Sequence, residues 1–322
     1  MQDVEVSKAH AFAGGTNSNL RTQFRSYFAF CVYFRRNPLP ATSDTICGYV
    51  QFLSRSMQPS AIKNYLSGVR TLHAFLGFKH SLSDDYYLQL VLRGIARLHP
   101  HVPRRARPVT PSILIGFYNY MDHNDSLHST VWACGLFLFF AMARLGSILP
   151  SSQRPKSSQR MLTRERVNFC QEGIIITLLH TKNIQFGKRR LHIPLLSLNS
   201  VLCPVRAYTH ALLTLGSTTC VPAFVFRDSS GNVLSLTKDV FIETFRSVVS
   251  RFAGGDISNF TGHSFRRGGA SWAFQAGVPG ELIQVCGDWA SDAYKTYLEF
   301  SMDNKINLAA MFSRGLPQLS VS

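Results

Sequence analysis

Six side chains carry the chemistry this chain offers: Arg144, Lys182, His263, Arg266, Trp289 and Tyr297. They are densest in TGHSFRRGGASWAFQAGVPGELIQVCGDWASDAYKTYLEF, residues 261–300. His263 and Arg266 stand three apart, one turn along a single helix face. A proton shuttle and a planar fork of donors can then face one phosphate. Trp289 and Tyr297 follow on what reads as the next helix. A tyrosine hydroxyl beside such a pair is a candidate nucleophile, and Tyr294, three residues earlier, is its competitor. Taken singly, each residue also reads as a helix start or a core aromatic. The ordered set is what points to phosphoryl chemistry.

Arg144 closes the apolar run 131–143, in AMARLGSIL. A guanidinium held beside a core needs an anion. A substrate phosphate, an acid elsewhere in the chain, or contact with water would each serve. Lys182 sits where the strand GIIITLLH (173–180) ends. The chain then runs through TKNIQFGKRR into LHIPL (191–195), the pattern of a hairpin with a long turn. From such a turn an ammonium can swing into a neighbouring site as a general acid; alone, it would read as one more solvated lysine.

The elements that must position these residues are mainly helical, with one small β-hairpin. Residues 1–17 read as a flexible lead. Four amphipathic helices follow over 18–98: one from Leu20 stopped by Pro38 and Pro40, one opened by the capping signal at 42–44, one from Pro59 to Gly77, and one from Ser83-Asp84 to Leu98. That is a small helical bundle. Its polar faces carry Arg21, Arg25, Lys63 and Arg70, too many cations for the acids present, which suits a phosphate-contacting face. Residues 99–109 form a basic, Pro-rich linker with Arg104, Arg105 and Arg107. A second domain spans 110–316. Its helices open at Thr110-Pro111, run over the buried stretch 128–143, and resume at Cys203-Pro204, at Thr237, and through 261–300. A polar loop at 151–166 and the strand pair interrupt them, and a short amphipathic tail helix needs a groove of its own or of a neighbour. Lys188, Arg189 and Arg190 cluster at the far side of the turn as DNA contacts. Arg267 reads as a DNA-backbone or structural contact.

The formal net charge is +16, from 34 Lys+Arg against 18 Asp+Glu, and +9 of it lies in residues 1–108. Charge of one sign spread over two domains favours a polyanion, nucleic acid above all, gripped between them. Apolar content of 45% excludes a disordered tail. The seven cysteines form no CxxC pair and read as reduced thiols of an intracellular reducing compartment. No metal-ligand spacing is present, and no cofactor or metal is expected. The polar start MQDVEVSKAH is no signal peptide, and the longest apolar run is too short to cross a membrane.

In order, AMARLGSIL, HTKNIQFGK, GHSFRRGGA, GDWAS and YKTYLEF resemble the tyrosine recombinase (phage integrase) family over nearly the whole chain. TKNIQFG and WASDAYKTYLEF are most similar to recombinases of eukaryotic mobile elements of the DIRS and Crypton kind. The resemblance implies a helical core-binding domain and an α+β catalytic domain acting on double-stranded DNA without a metal, as a tetramer in synapsis whose tail helix docks on a neighbouring protomer. It implies that Arg144 and Arg266 clamp the scissile phosphate and that His263 assists proton transfer. Lys182 protonates the departing 5′-oxygen, Trp289 packs the site and donates to the phosphate, and Tyr297 forms a 3′-phosphotyrosine link. A eukaryotic host implies the nucleus, any other the cytoplasm. The family usually has an acid three places after the first arginine. Here Ser147 stands there, so support for Arg144 must come from elsewhere. Two alternatives stay open: a type IB topoisomerase, and a DNA-binding protein that has lost catalysis.

Overall fold

The computed structural model describes residues 3, 6, 7, 10–12, 14–78, 85–100, 105–154, 160–184, 189–216, 221–298, 306 and 310. The chain forms two compact units, Met1–Pro103 and Arg104–Ser322.

Among the described residues, the first unit packs four named helices, α1 (Gly14–Tyr33), α2 (Ser43–Ser54), α3 (Pro59–Phe75) and α4 (Tyr86–Leu98). Helix α1 begins at Gly14, inside the span expected to be a flexible lead. Phe12, just ahead of it, packs edge-on against Phe75 of α3 at 5.9 Å, a contact that ties the helix start to the bundle. The apolar pattern that suggests α1 (Leu20, Phe24, Tyr27, Phe28, Cys31 and Phe34) is only partly buried. Tyr27, Phe30 and Cys31 are buried, whereas Phe28 and Phe34 keep more than a third of their surface in water. The core joins Tyr27, Phe30, Ile46, Tyr49, Val50, Leu53, Ile62, Leu66 and Val69. His73 lies inside it: its Nε2 accepts the Ala41 amide at 2.9 Å while Nδ1 contacts the Val69 carbonyl at 2.8 Å. That pairing fixes a neutral ring with the proton on Nδ1. Thr42 and Asp85 cap α2 and α4 through their side-chain oxygens.

The second unit is built around α6 (Ser126–Phe140), buried from Ser129 to Phe139. A helix apolar all round must lie inside. Helices α5 (Pro111–Tyr120), α8 (Pro204–Leu215), α9 (Lys238–Val249) and α10 (Gly262–Gln275) surround it, with Phe137, Phe224, Phe241, Phe245, Phe260 and Phe265 in one core. The expected hairpin is part of a three-stranded antiparallel sheet: β1 (Val167–Cys170), β2 (Gly173–Leu178) and β3 (Leu191–Leu196), with Ile174 opposite Leu195 and Ile176 opposite Ile193. Strand β1 was not anticipated, because three of its four residues are exposed and leave no alternating pattern. A second small sheet pairs β4 (Val225–Arg227) with β5 (Val233–Ser235). Two short helices complete the frame, α7 (Leu145–Ile148) and α11 (Gly280–Cys286). The expected helix over 290–300 is a 3₁₀ turn over Asp292–Tyr297, capped by the Ser291 hydroxyl. The expected tail helix lies outside the described residues except for Ile306 and Ala310, both helical.

Candidate active site

Helix α10 delivers the first pair. Its N-terminus is a capping box: the Thr261 hydroxyl accepts from the helix start, and the Ser264 hydroxyl accepts the Thr261 amide at 2.8 Å. Two glycines then let the helix sink. A Cβ on Gly268 would lie 1.8 Å from the Val109 carbonyl oxygen, and one on Gly269 would lie 2.0 Å from that of Phe139. This close approach pushes Arg266 against the end of α6, where its Nη1 donates to the Met142 carbonyl. Met142 sits in the left-handed region at φ 47°, turning the chain after α6 so that Arg144 precedes α7. The apolar helix therefore ends at Phe140, short of the expected 143.

Arg266 is 1% exposed, and its Nε and Nη2 have no hydrogen-bond partner. Its Cζ lies 3.5 Å from the centre of the Trp289 ring, a cation–π contact in a desolvated setting. Burial and then the charge of Arg144 bring its pKa down to about 9, against the pull of Tyr297 and Asp288. It remains cationic at neutral pH. His263, one turn earlier, keeps surface in water. Partial burial, then the charges of Arg266, Arg144 and Lys182, hold its pKa below the usual imidazole value. The three cations that the sequence set far apart thus act on one imidazole.

Trp289 is buried, and Gly287 leaves room for its ring. In a 3₁₀ turn residues three apart eclipse, and the rings of Tyr294 and Tyr297 both face Trp289, at 6.3 and 5.6 Å. Their surroundings differ. Tyr294 is 5% exposed, with its hydroxyl against Gly280. Tyr297 is half-buried, 6.3 Å from the His263 ring and 6.0 Å from Arg266 Cζ. The Ser271 hydroxyl, on α10, donates to the Tyr297 carbonyl at 2.7 Å and fixes the turn to the helix.

Asp288 is the residue the sequence reading missed. It is 4% exposed, and one carboxylate oxygen lies 4.0 Å from Arg144 Nη1. The acid that Arg144 calls for thus comes from the position before Trp289, and Ser147 lines the same cleft as Arg144, Arg266 and Asp288. In the sequence it shows only as the acid before Trp289 in GDWAS; the cations around it, Arg144 and Arg189, come together with it in the fold. Arg189, expected to contact DNA, is exposed, and its guanidinium also ion-pairs with Asp288. Arg267 is buried, which suits the structural of its two suggested roles. The Arg107 guanidinium donates to the Gly254 carbonyl at 2.7 Å and stacks on Phe260, so it is part of the second unit's packing. Arg105 and Arg190 are exposed, as are Arg21, Arg25, Lys63 and Arg70 on the first unit. Arg104 and Lys188 lie outside the described residues.

No protein-family model matches the chain. It is 24% identical over 252 residues to an integrase/recombinase xerD homolog of Selenomonas ruminantium, covering 76% of this chain and 70% of that protein. In structure it is similar to the integrase of transposon Tn1549 in complex with transposon right-end DNA, with a TM-score of 0.61, 12% identity, and 94% and 95% of the two chains covered. It is likewise similar to the XerH site-specific recombinase bound to difH substrate in a post-cleavage complex, with a TM-score of 0.58, 10% identity and coverage of 90% and 77%. A lambda integrase dimer bound to a COC′ core site gives 0.56, 11% identity and coverage of 99% and 96%.

Proposed function

We propose that this chain, which belongs to the tyrosine recombinase family, is a site-specific DNA recombinase that cuts and rejoins strands through a 3′-phosphotyrosine intermediate. The observation that carries the reading is the Arg266 fork: two buried nitrogens without partners, beside the Tyr297 ring. A buried donor left unpaired costs on the order of 1–3 kcal/mol, a cost a fold sustains where an anion is to be bound. Arg144 and Arg266 take the non-bridging oxygens of the scissile phosphate, where charge gathers in the transition state. The Tyr297 oxygen attacks phosphorus as its proton passes toward neutral His263. The bond to the 5′-oxygen breaks, and Lys182 supplies that oxygen with a proton. Trp289 holds the Arg266 plane. The link keeps the energy of the phosphodiester, so a new 5′-hydroxyl is joined by the reverse steps.

The helical first unit contacts the duplex through Arg21, Arg25, Lys63 and Arg70, joined by exposed Arg105 and Arg190. Integration or excision of a mobile element is the setting favoured by TKNIQFG and WASDAYKTYLEF, with a tetramer at synapsis and the tail helix docked on a neighbouring protomer. In a eukaryotic host the work lies in the nucleus. Among the described residues no helix is long and apolar enough to cross a membrane.

The test is a nicked suicide substrate carrying candidate terminal-repeat DNA, without metal, resolved on a denaturing gel. The unmodified chain and Tyr294→Phe form a covalent adduct; Tyr297→Phe forms none. Salt-sensitive binding with no adduct from the unmodified chain would instead favour a DNA-binding protein without catalysis.

A further inference from the structure

Lys182 rides on a turn, and a general acid must be held within reach of its leaving group. The turn is tied down at the residue before Trp289. The Thr181 hydroxyl donates to one carboxylate oxygen of Asp288, and Arg189 Nη2 donates to the other. The Asn183 side-chain amide donates to the Asp288 carbonyl. Thr181 and Asn183 are the two chain neighbours of Lys182. The Thr181 hydroxyl oxygen also accepts the Asn183 and Ile184 amides at 3.1 and 3.0 Å, so it shapes the turn while it attaches it. Ile184 is buried and anchors the far end. Asp288 is itself well placed for the task. Its φ of 54° is a conformation that aspartate tolerates better than most residues, and it is buried, so water competes little for its oxygens.

We propose that Asp288 is a positioning residue for Lys182: its carboxylate and carbonyl latch both neighbours of the lysine to the wall that carries Trp289 and Tyr297. The inference rests on the reading of Lys182 as the general acid. In that step the Tyr297 oxygen–phosphorus bond forms, the bond from phosphorus to the 5′-oxygen breaks, and the Lys182 proton goes to that oxygen. A 5′-sulfur leaves as a thiolate and needs no proton, so damage confined to the acid disappears on a sulfur-substituted substrate.

The experiment measures single-turnover cleavage by the full chain on suicide substrates with oxygen or sulfur at the scissile 5′ position. Asp288→Asn keeps the shape and the left-handed backbone. Thr181→Val cuts the same latch from the turn side should the first variant fold poorly. Thr181→Val, which leaves the Asp288 charge beside Arg144, is expected to slow the oxygen substrate by about tenfold or more and to run within about threefold of the unmodified chain on sulfur; Asp288→Asn, which also removes that charge, regains on sulfur only the part lost with the acid. A smaller recovery of Thr181→Val, or no loss with oxygen, overturns the proposal. Lys182→Ala is the control: if it stays slow on sulfur, the lysine is not the acid, and the underlying reading fails with the inference. Recovery of Lys182→Ala without recovery of Thr181→Val overturns the latch alone.

Discussion

The electrostatics of Arg266 and His263 suit the proposed phosphate partner. The Arg266 charge is buried with part of its fork unpaired, so the free protein bears its desolvation cost. Arg266→Met keeps the length and the contact with Trp289 while removing the charge. It is expected to abolish adduct formation and to stabilise the DNA-free chain by about 1–2 kcal/mol, read as a rise in the urea midpoint. His263 supplies a pH dependence. Its folded pKa lies below the ordinary 6.5, so the unfolded chain binds more protons between the two values. Stability therefore falls as pH drops through about 6.5, and the loss is complete below the folded pKa. In His263→Gln this part of the acid destabilisation is absent, which a series of Tm measurements from about pH 8 to 5 detects. The types and order of these residues were legible in the sequence. The partner of Arg144 was not, since Asp288 lies 144 positions away and meets it only in the fold.

Element by element, the site depends on how closely α10 approaches the end of α6. Gly269 in a helix interior costs about 1 kcal/mol relative to alanine by intrinsic propensity. Gly269→Ala is nonetheless expected to destabilise the chain, by about 2–3 kcal/mol, because the new methyl meets the Phe139 carbonyl at 2.0 Å and backbone cannot swing away. Urea unfolding of the purified variant gives the sign directly, and a displaced α10 also removes cleavage. The FRRGGAS run was readable as a helix, but what its glycines face was not. Likewise, the segment ending in YLEF was readable as helical, yet not as a 3₁₀ turn. That difference sets both tyrosine rings against Trp289 and leaves the later one to reach His263 and Arg266.

For the molecule as a whole, charge is the main statement. With +16 on 322 residues, binding to duplex DNA is expected to weaken steeply with salt. Replacing Arg21, Arg25, Lys63 and Arg70 together with alanine removes four exposed cations from the first unit. If each meets a phosphate, the slope of log affinity against log salt falls by about 3–4, with little change in the ability of a bound complex to form the adduct at saturating DNA. Fluorescence anisotropy across a salt series measures the slope, and the suicide substrate measures the adduct. An unchanged slope assigns those cations to solvation.

The sequence by itself determined the helical bundle, the buried α6, the hairpin, and the order Arg144, Lys182, His263, Arg266, Trp289, Tyr297. These follow from periodicity, caps and residue chemistry, all local properties. The tertiary structure alone decided which cations find partners within the protein: Arg189 on Asp288, Arg107 on Gly254 and Phe260, Arg267 in the interior. It alone decided that Tyr294 is packed against Gly280 while Tyr297 faces the arginine, and that an acid beside Trp289 meets the arginine that lacks one at Ser147. The physical reason is common to all three. A charge or a hydroxyl is defined by what lies within a few ångströms of it, and those neighbours come from chain segments up to 147 residues apart.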